Sequence, residues 1–241
     1  MEVKVFQNKV KVAEEFSKYL IEKSATERPF HIALSGGSTP KIVFDVLAEE
    51  FSEDMNWNHI HFYWGDERCV SPDDEESNYK MTVEHLLSKI DIPEENIHRI
   101  RGEENPKEEA KRYGALLEDL LPHELGLPQF DLVILGMGDD GHTASIFPHE
   151  LNLWISPDNC EVAIHPESGQ RRVSLTGRII NNAKTVVFLV TGESKAEKVR
   201  IIVDREEGYL KYPASHVSPK TKDLVWFLDA AASEQLNLDQ S

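Results

Sequence analysis

Four short apolar runs, each ended by a polar turn containing glycine, constrain this chain more than any other feature. Leu132 to Leu135 is too short for a core helix and, flanked by Gly136, reads as a strand buried on both faces of a parallel sheet. Phe30–Ser35, Ile60–Trp64 and Lys184–Val190 read the same way. Val3–Phe6, Ile97–Ile100, Cys160–Ile164, the alternating Arg171–Thr176 and Leu224–Leu228 supply further strands. Helical periods separate them: residues 8 to 23 place Val12, Phe16, Tyr19 and Leu20 on one face, and Pro40 opens a helix through Phe51 with Val43, Phe44 and Leu47 inward. Ser77-Asn78-Tyr79-Lys80 starts another, with Met81, Val83, Leu86, Leu87 and Ile90 as its apolar positions. Residues 106 to 121 form an exposed amphipathic helix, a further one runs from Lys195 to about Asp204, and Asp229 caps the last. Residues 122–128, 149–158 and 213–217 read as loops. Strands and helices alternate with no linker-like run, which predicts one doubly wound α/β domain over residues 1–241, its mainly parallel sheet flanked by helices.

At 241 residues, 40% hydrophobic and 29% charged, the chain can bury a core without disulfides or metal. Cys69 and Cys160 match no metal spacing and read as reduced thiols. No stretch is apolar enough to span a bilayer, and Met1–Lys4 lacks a basic region followed by an apolar one, so a cytoplasmic protein is expected. A net charge of −17 argues against nucleic acid as a partner, since phosphate backbones need basic faces. A small anion is compatible with it, because salt screens exposed charge beyond about 8–10 Å and a local pocket of N–H groups and cations acts alone.

Ligands of open α/β sheets bind beyond the carboxyl ends of the strands, and that is where the distinctive residues fall. Gly36-Gly37-Ser38-Thr39 lies between a strand and a helix: the glycines allow close approach, N–H groups converge and the helix dipole favours an anion. The competing reading is an ordinary N-cap by Ser38 or Thr39. Gly65-Asp66-Glu67-Arg68 delivers Arg68 to contact a phosphate or polarise a carbonyl, and Asp66 to bond a sugar hydroxyl or His142; Glu67 by itself reads as a solvated charge. Asn78 and Tyr79 are placed to close over a ligand. Gly136-Met137-Gly138-Asp139-Asp140-Gly141-His142 combines a flexible turn with an imidazole able to take a proton from water and carboxylates to orient it. Arg172 adds a cation, as does Lys195, which stands at a helix start against the macrodipole, a cost of ~0.3–1 kcal/mol that a phosphate would explain. His123 reads as a solvated histidine. Ser35 and Ser145 stand outside a nucleophile-elbow pattern, which disfavours a serine hydrolase.

Ser35–Pro40, Gly65–Arg68 with Ser77–Tyr79, Leu135–Gly138 with Asp140–Ser145, and Thr191–Ala196, in that order, resemble the short, single-domain 6-phosphogluconolactonases from the first helix to Asp229. The resemblance implies the fold shared with glucosamine-6-phosphate deaminase and ribose-5-phosphate isomerase. It implies hydrolysis of 6-phospho-D-glucono-1,5-lactone in the oxidative pentose phosphate pathway, without metal or organic cofactor, by a monomer or small homo-oligomer. His142 would then be the base, with Asp140 or Asp66 orienting it, and the 6-phosphate would lie on residues 36–39 with Arg172 and Lys195. In the deaminases the Asp-Gly-His turn continues to Asn-Glu-Pro, where the Glu supports the histidine; here Ile146 and Phe147 precede Pro148, and phenylalanine neither takes nor orients a proton. A sugar-phosphate isomerase or a non-catalytic sugar-phosphate sensor are the alternatives, the latter usually with a DNA-binding region that this sequence does not show. Asp139 departs from the pattern, standing where many lactonases carry proline; there a carboxylate either favours the protonated imidazole or faces water.

Overall fold

A computed structural model describes residues 1–237. Its strands are β1 (Glu2–Phe6), β2 (Phe30–Leu34), β3 (Ile60–Trp64), β4 (Asp66–Arg68), β5 (Ile97–His98), β6 (His123–Glu124), β7 (Leu127–Pro128), β8 (Leu132–Leu135), β9 (Cys160–Ile164), β10 (Arg171–Leu175), β11 (Thr185–Val190) and β12 (Leu224–Asp229). The helices are α1 (Lys9–Ser24), α2 (Ser38–Glu50), α3 (Asn78–His85), α4 (Pro106–Leu120), α5 (Gly177–Ile180), α6 (Ala196–Val203) and α7 (Ala230–Ser233).

Seven strands pair in parallel in the order β1-β12-β11-β8-β2-β3-β5. Every residue of β2, β8, β11 and β12 is buried, as strands covered on both faces require. The apolar side of α2 carries Val43, Phe44 and Leu47 inward as its period predicts, and α1 packs on α2 and β12. Asn8 caps α1 by accepting from the Lys11 N–H, Asn105 caps α4 with Pro106 following it, and Asp229 caps α7.

The direction in which successive strands are added to the sheet reverses between β2 and β8. From β2 the chain proceeds outward through β3 to β5; it then returns to β8 on the other side and proceeds through β11 to β12. Neighbouring β2 and β8 (Ile32 opposite Leu132, Ala33 opposite Val133) therefore send their following loops apart, opening a crevice at their carboxyl ends. β11 and β3 flank this pair, so the four turns singled out in the sequence stand side by side at the ends of four adjacent strands.

An antiparallel sheet, β4-β10-β9, extends the crevice wall. It is joined to the main sheet where the Leu175 N–H donates to Gly65 O at 2.8 Å. Local departures from expectation are small. α3 ends at His85 because Leu86 leaves helical backbone (φ −136°, ψ −63°), burying Leu86 and Leu87 before a single 3-10 turn at Leu87–Lys89. Residues expected as loop form a β6–β7 hairpin and 3-10 turns at Pro148–Trp154 and Pro213–His216.

Candidate active site

Residues 35–39 after β2, Asp66 and Arg68 of β4, Asn78 at the start of α3, the turn after β8 with Gly136, Gly138 and His142, Arg172 of β10, and Thr191 and Lys195 after β11 line one cavity of about 230 Å³. Nine of the ten residues expected at the site are in that lining; the tenth, Asp140, stands behind His142.

The turn after β2 is built to leave its donors free. Gly37 takes φ +111°, a conformation that favours glycine, and serves as the N-cap of α2 with no side-chain cap bond. Ser38 and Thr39 are thus the first helical residues rather than its cap, and the Thr39 hydroxyl lies 2.8 Å from that of Thr191. Gly36 fits because a Cβ there would collide with the Asn78 amide, which donates to Asp66 O at 3.0 Å.

The turn after β8 fixes an imidazole. Asp140 Oδ1 accepts from the His142 backbone N–H at 3.0 Å and from ring Nδ1 at 2.6 Å. With Nδ1 donating, Nε2 holds the lone pair, and the ring side chain is 25% exposed. Burial opposes charge on Asp140, but the hydrogen bonds it accepts from the His142 ring and backbone N–H outweigh it and hold the carboxyl below its ordinary range. Phe147 packs on the ring with centroids 4.7 Å apart. On the chain side the Gly138 N–H donates to His142 O at 2.9 Å, and a Cβ on Gly138 would collide with the imidazole. Asp66 was a second candidate to orient the ring and does not do so: it is buried and accepts from the Ser145 hydroxyl at 2.5 Å.

Antiparallel pairing sets Arg172 of β10 directly opposite Arg68 of β4. Among the described residues neither guanidinium has a carboxylate within 4.0 Å. Arg68 Nη1 donates to Glu76 O at 2.5 Å while its buried Nε has no partner. Arg172 Nε donates to Gln170 Oε1 at 3.3 Å, its guanidinium 5.6 Å from the Phe147 ring centre. Burial pulls the Arg172 guanidinium below its ordinary pKa, and the charge of Arg68 adds to that. Like charges set opposite one another across strands are unfavourable unless an anion joins them.

Glu67, expected as a solvated charge, is 2% exposed. Its carboxylate accepts from the backbone N–H groups of Arg68, Asn78 and Tyr79, each at 2.8 Å, and from Ser77 Oγ at 3.0 Å. Burial raises its pKa and these donors offset part of the rise. It ties β4 to the start of α3 and so positions Arg68 and Asn78. Asn78 joins the cavity; Tyr79 instead packs on Trp64 with Arg99 over its ring. Asp139 does not bond to the imidazole: its side chain is largely exposed and its Oδ1 lies 2.6 Å from Lys195 Nζ. His123 is exposed, as expected, with Glu118 2.8 Å away, and both cysteines are free.

A family model described as glucosamine-6-phosphate isomerases/6-phosphogluconolactonase matches residues 7–226. The chain is 47% identical over 224 residues to a 6-phosphogluconolactonase of Haemophilus influenzae, the match spanning 92% of each protein. It is similar to the crystal structure of the devB protein at TM-score 0.92 and 42% identity, over 97% of this chain and 98% of that one. A monomeric glucosamine-6-phosphate deaminase shares the fold at TM-score 0.82 and 20% identity, over 98% of this chain and all of the other. With nearly its whole length matched, the chain belongs to the glucosamine-6-phosphate isomerase/6-phosphogluconolactonase family.

Proposed function

We propose that this protein hydrolyses 6-phospho-D-glucono-1,5-lactone to 6-phosphogluconate, with His142 as the general base. The observation that carries this reading is an imidazole held at Nδ1 by Asp140, with Nε2 unused, in the cavity that also contains the uncapped Gly36–Thr39 turn. The turn's N–H groups and hydroxyls, with Lys195 and Arg172, receive the 6-phosphate. Nε2 takes a proton from water as its oxygen bonds to the lactone carbonyl carbon. The imidazolium, stabilised by Asp140, then returns that proton to the ring oxygen as the carbon–oxygen ester bond breaks, giving carboxylic acid and hydroxyl ends. Arg68 stands beside Arg172 to polarise the carbonyl or share the phosphate, and Asp66 is placed to accept from a sugar hydroxyl.

Deamination or isomerisation on the same fold needs a second proton-handling group beside the histidine. Phe147 occupies that side here, 0% exposed and packed on the ring, which favours the lactonase reading. The test is lactone hydrolysis coupled to 6-phosphogluconate dehydrogenase, with spontaneous hydrolysis subtracted. His142→Ala is expected to lower kcat by ~10²–10⁴ while KM stays close to that of the parent. An His142→Ala enzyme with parental kcat would remove the base from the scheme.

A further inference from the structure

One carboxylate at the cavity takes no part in the chemistry above. Lys195, whose side chain is only 20% exposed, has its ammonium 2.6 Å from Oδ1 of Asp139, which is 75% exposed. Ser194 Oγ donates to the same oxygen at 3.1 Å. Of the three cavity cations, Arg68, Arg172 and Lys195, this is the one matched by a carboxylate among the described residues. The matching anion belongs to the same turn that carries Asp140 and His142. A phosphate that reaches Lys195 must therefore share the ammonium with a carboxylate or displace it. Displacement is feasible, since an ion pair with one partner largely in water is held weakly.

We infer that Asp139 sets the affinity of the site for phosphate: it occupies Lys195 as an internal competitor for the phosphate group, so that phosphorylated substrate and product are held less tightly than the cations alone would hold them. This rests on the reading of Lys195 as a phosphate ligand. Asp139 acts through Lys195 and is a positioning residue rather than a catalytic one. Both lactone and product carry the phosphate, so the competition raises KM and weakens product inhibition together. An interaction that affects ground and transition states alike leaves kcat in place.

Calorimetric titration with 6-phosphogluconate and with inorganic phosphate tests this on the parent, Asp139→Asn, Lys195→Met and the double variant. Asp139→Asn is expected to bind both anions about three- to tenfold tighter, with KM lowered and kcat unchanged. Asp139→Glu should restore parental affinity, and gluconate, lacking the phosphate, should respond to none of the changes at Asp139. Lys195→Met should weaken phosphate binding, and Asp139→Asn added to it should then have no effect. A change below about twofold for Asp139→Asn overturns the competitor role, as does equal tightening in the Lys195→Met background, which would indicate a general charge effect. If Lys195→Met binds both anions as the parent does, the phosphate assignment of Lys195 fails and the competitor role with it.

Discussion

Gly138 shows how finely the imidazole is placed. Its α-hydrogen side faces His142 so closely that a methyl group cannot fit without pushing Cε1 and Nδ1 aside. Gly138→Ala should therefore leave the fold intact and lower kcat by roughly 10- to 100-fold, since displacement of a reacting group by about 1 Å has effects of that order. Equal kcat for Gly138→Ala and the parent, measured in the coupled assay, would show that ring placement is not critical. His142, Asp140 and the Gly36–Thr39 turn were legible because each joins a reactive or anion-binding group to glycines at a strand end. Glu67 was not, because what distinguishes a solvated carboxylate from a buried one is its four donors, three of them backbone N–H groups that a sequence does not display. The partner of Asp139 was hidden for a related reason: Lys195 is remote in the chain and meets it only across neighbouring strands.

Strands β2, β3 and β5 have a feature apart from the site. His31, His61 and His98 lie on one face of these neighbours, with His31 Nδ1 3.2 Å from the Tyr63 hydroxyl and His61 Nδ1 3.2 Å from His98 Nε2. Burial, and the nearness of the other rings, push both His31 and His98 down to about 4. An unfolded histidine takes a proton near 6.5. The stability these rings contribute is thus fully present above pH 6.5 and is lost as pH falls from there toward 4, because the unfolded chain binds the protons first. The melting temperature should fall between pH 6.5 and 5, and His98→Gln should flatten that fall. An unchanged slope in the variant would contradict the burial argument. The strands of the main sheet, β9, β10 and the longer helices were readable from periodicity, whereas β4, the β6–β7 hairpin and α5 were not. The order of strands across the sheet was not, since the reversal between β2 and β8 is decided by which faces pack together.

Across the whole molecule the acidity and the proposed anion site are compatible because charge acts locally. The chain carries 43 Asp and Glu against 26 Lys and Arg, yet three cations meet in one cavity of about 230 Å³. They arrive from β4, β10 and the turn after β11, while the imidazole comes from the turn after β8 and the turn proposed to hold phosphate from the end of β2. The fold's contribution to function is this convergence, with four adjacent strand ends facing one crevice. A crystal structure of the parent protein with 6-phosphogluconate bound tests it most directly. The phosphate oxygens are expected on the backbone N–H groups of residues 36–39, with the product carboxylate within about 2.6–3.2 Å of His142 Nε2. A phosphate seated elsewhere, or one seated on that turn with the carboxylate beyond reach of the imidazole, would contradict it.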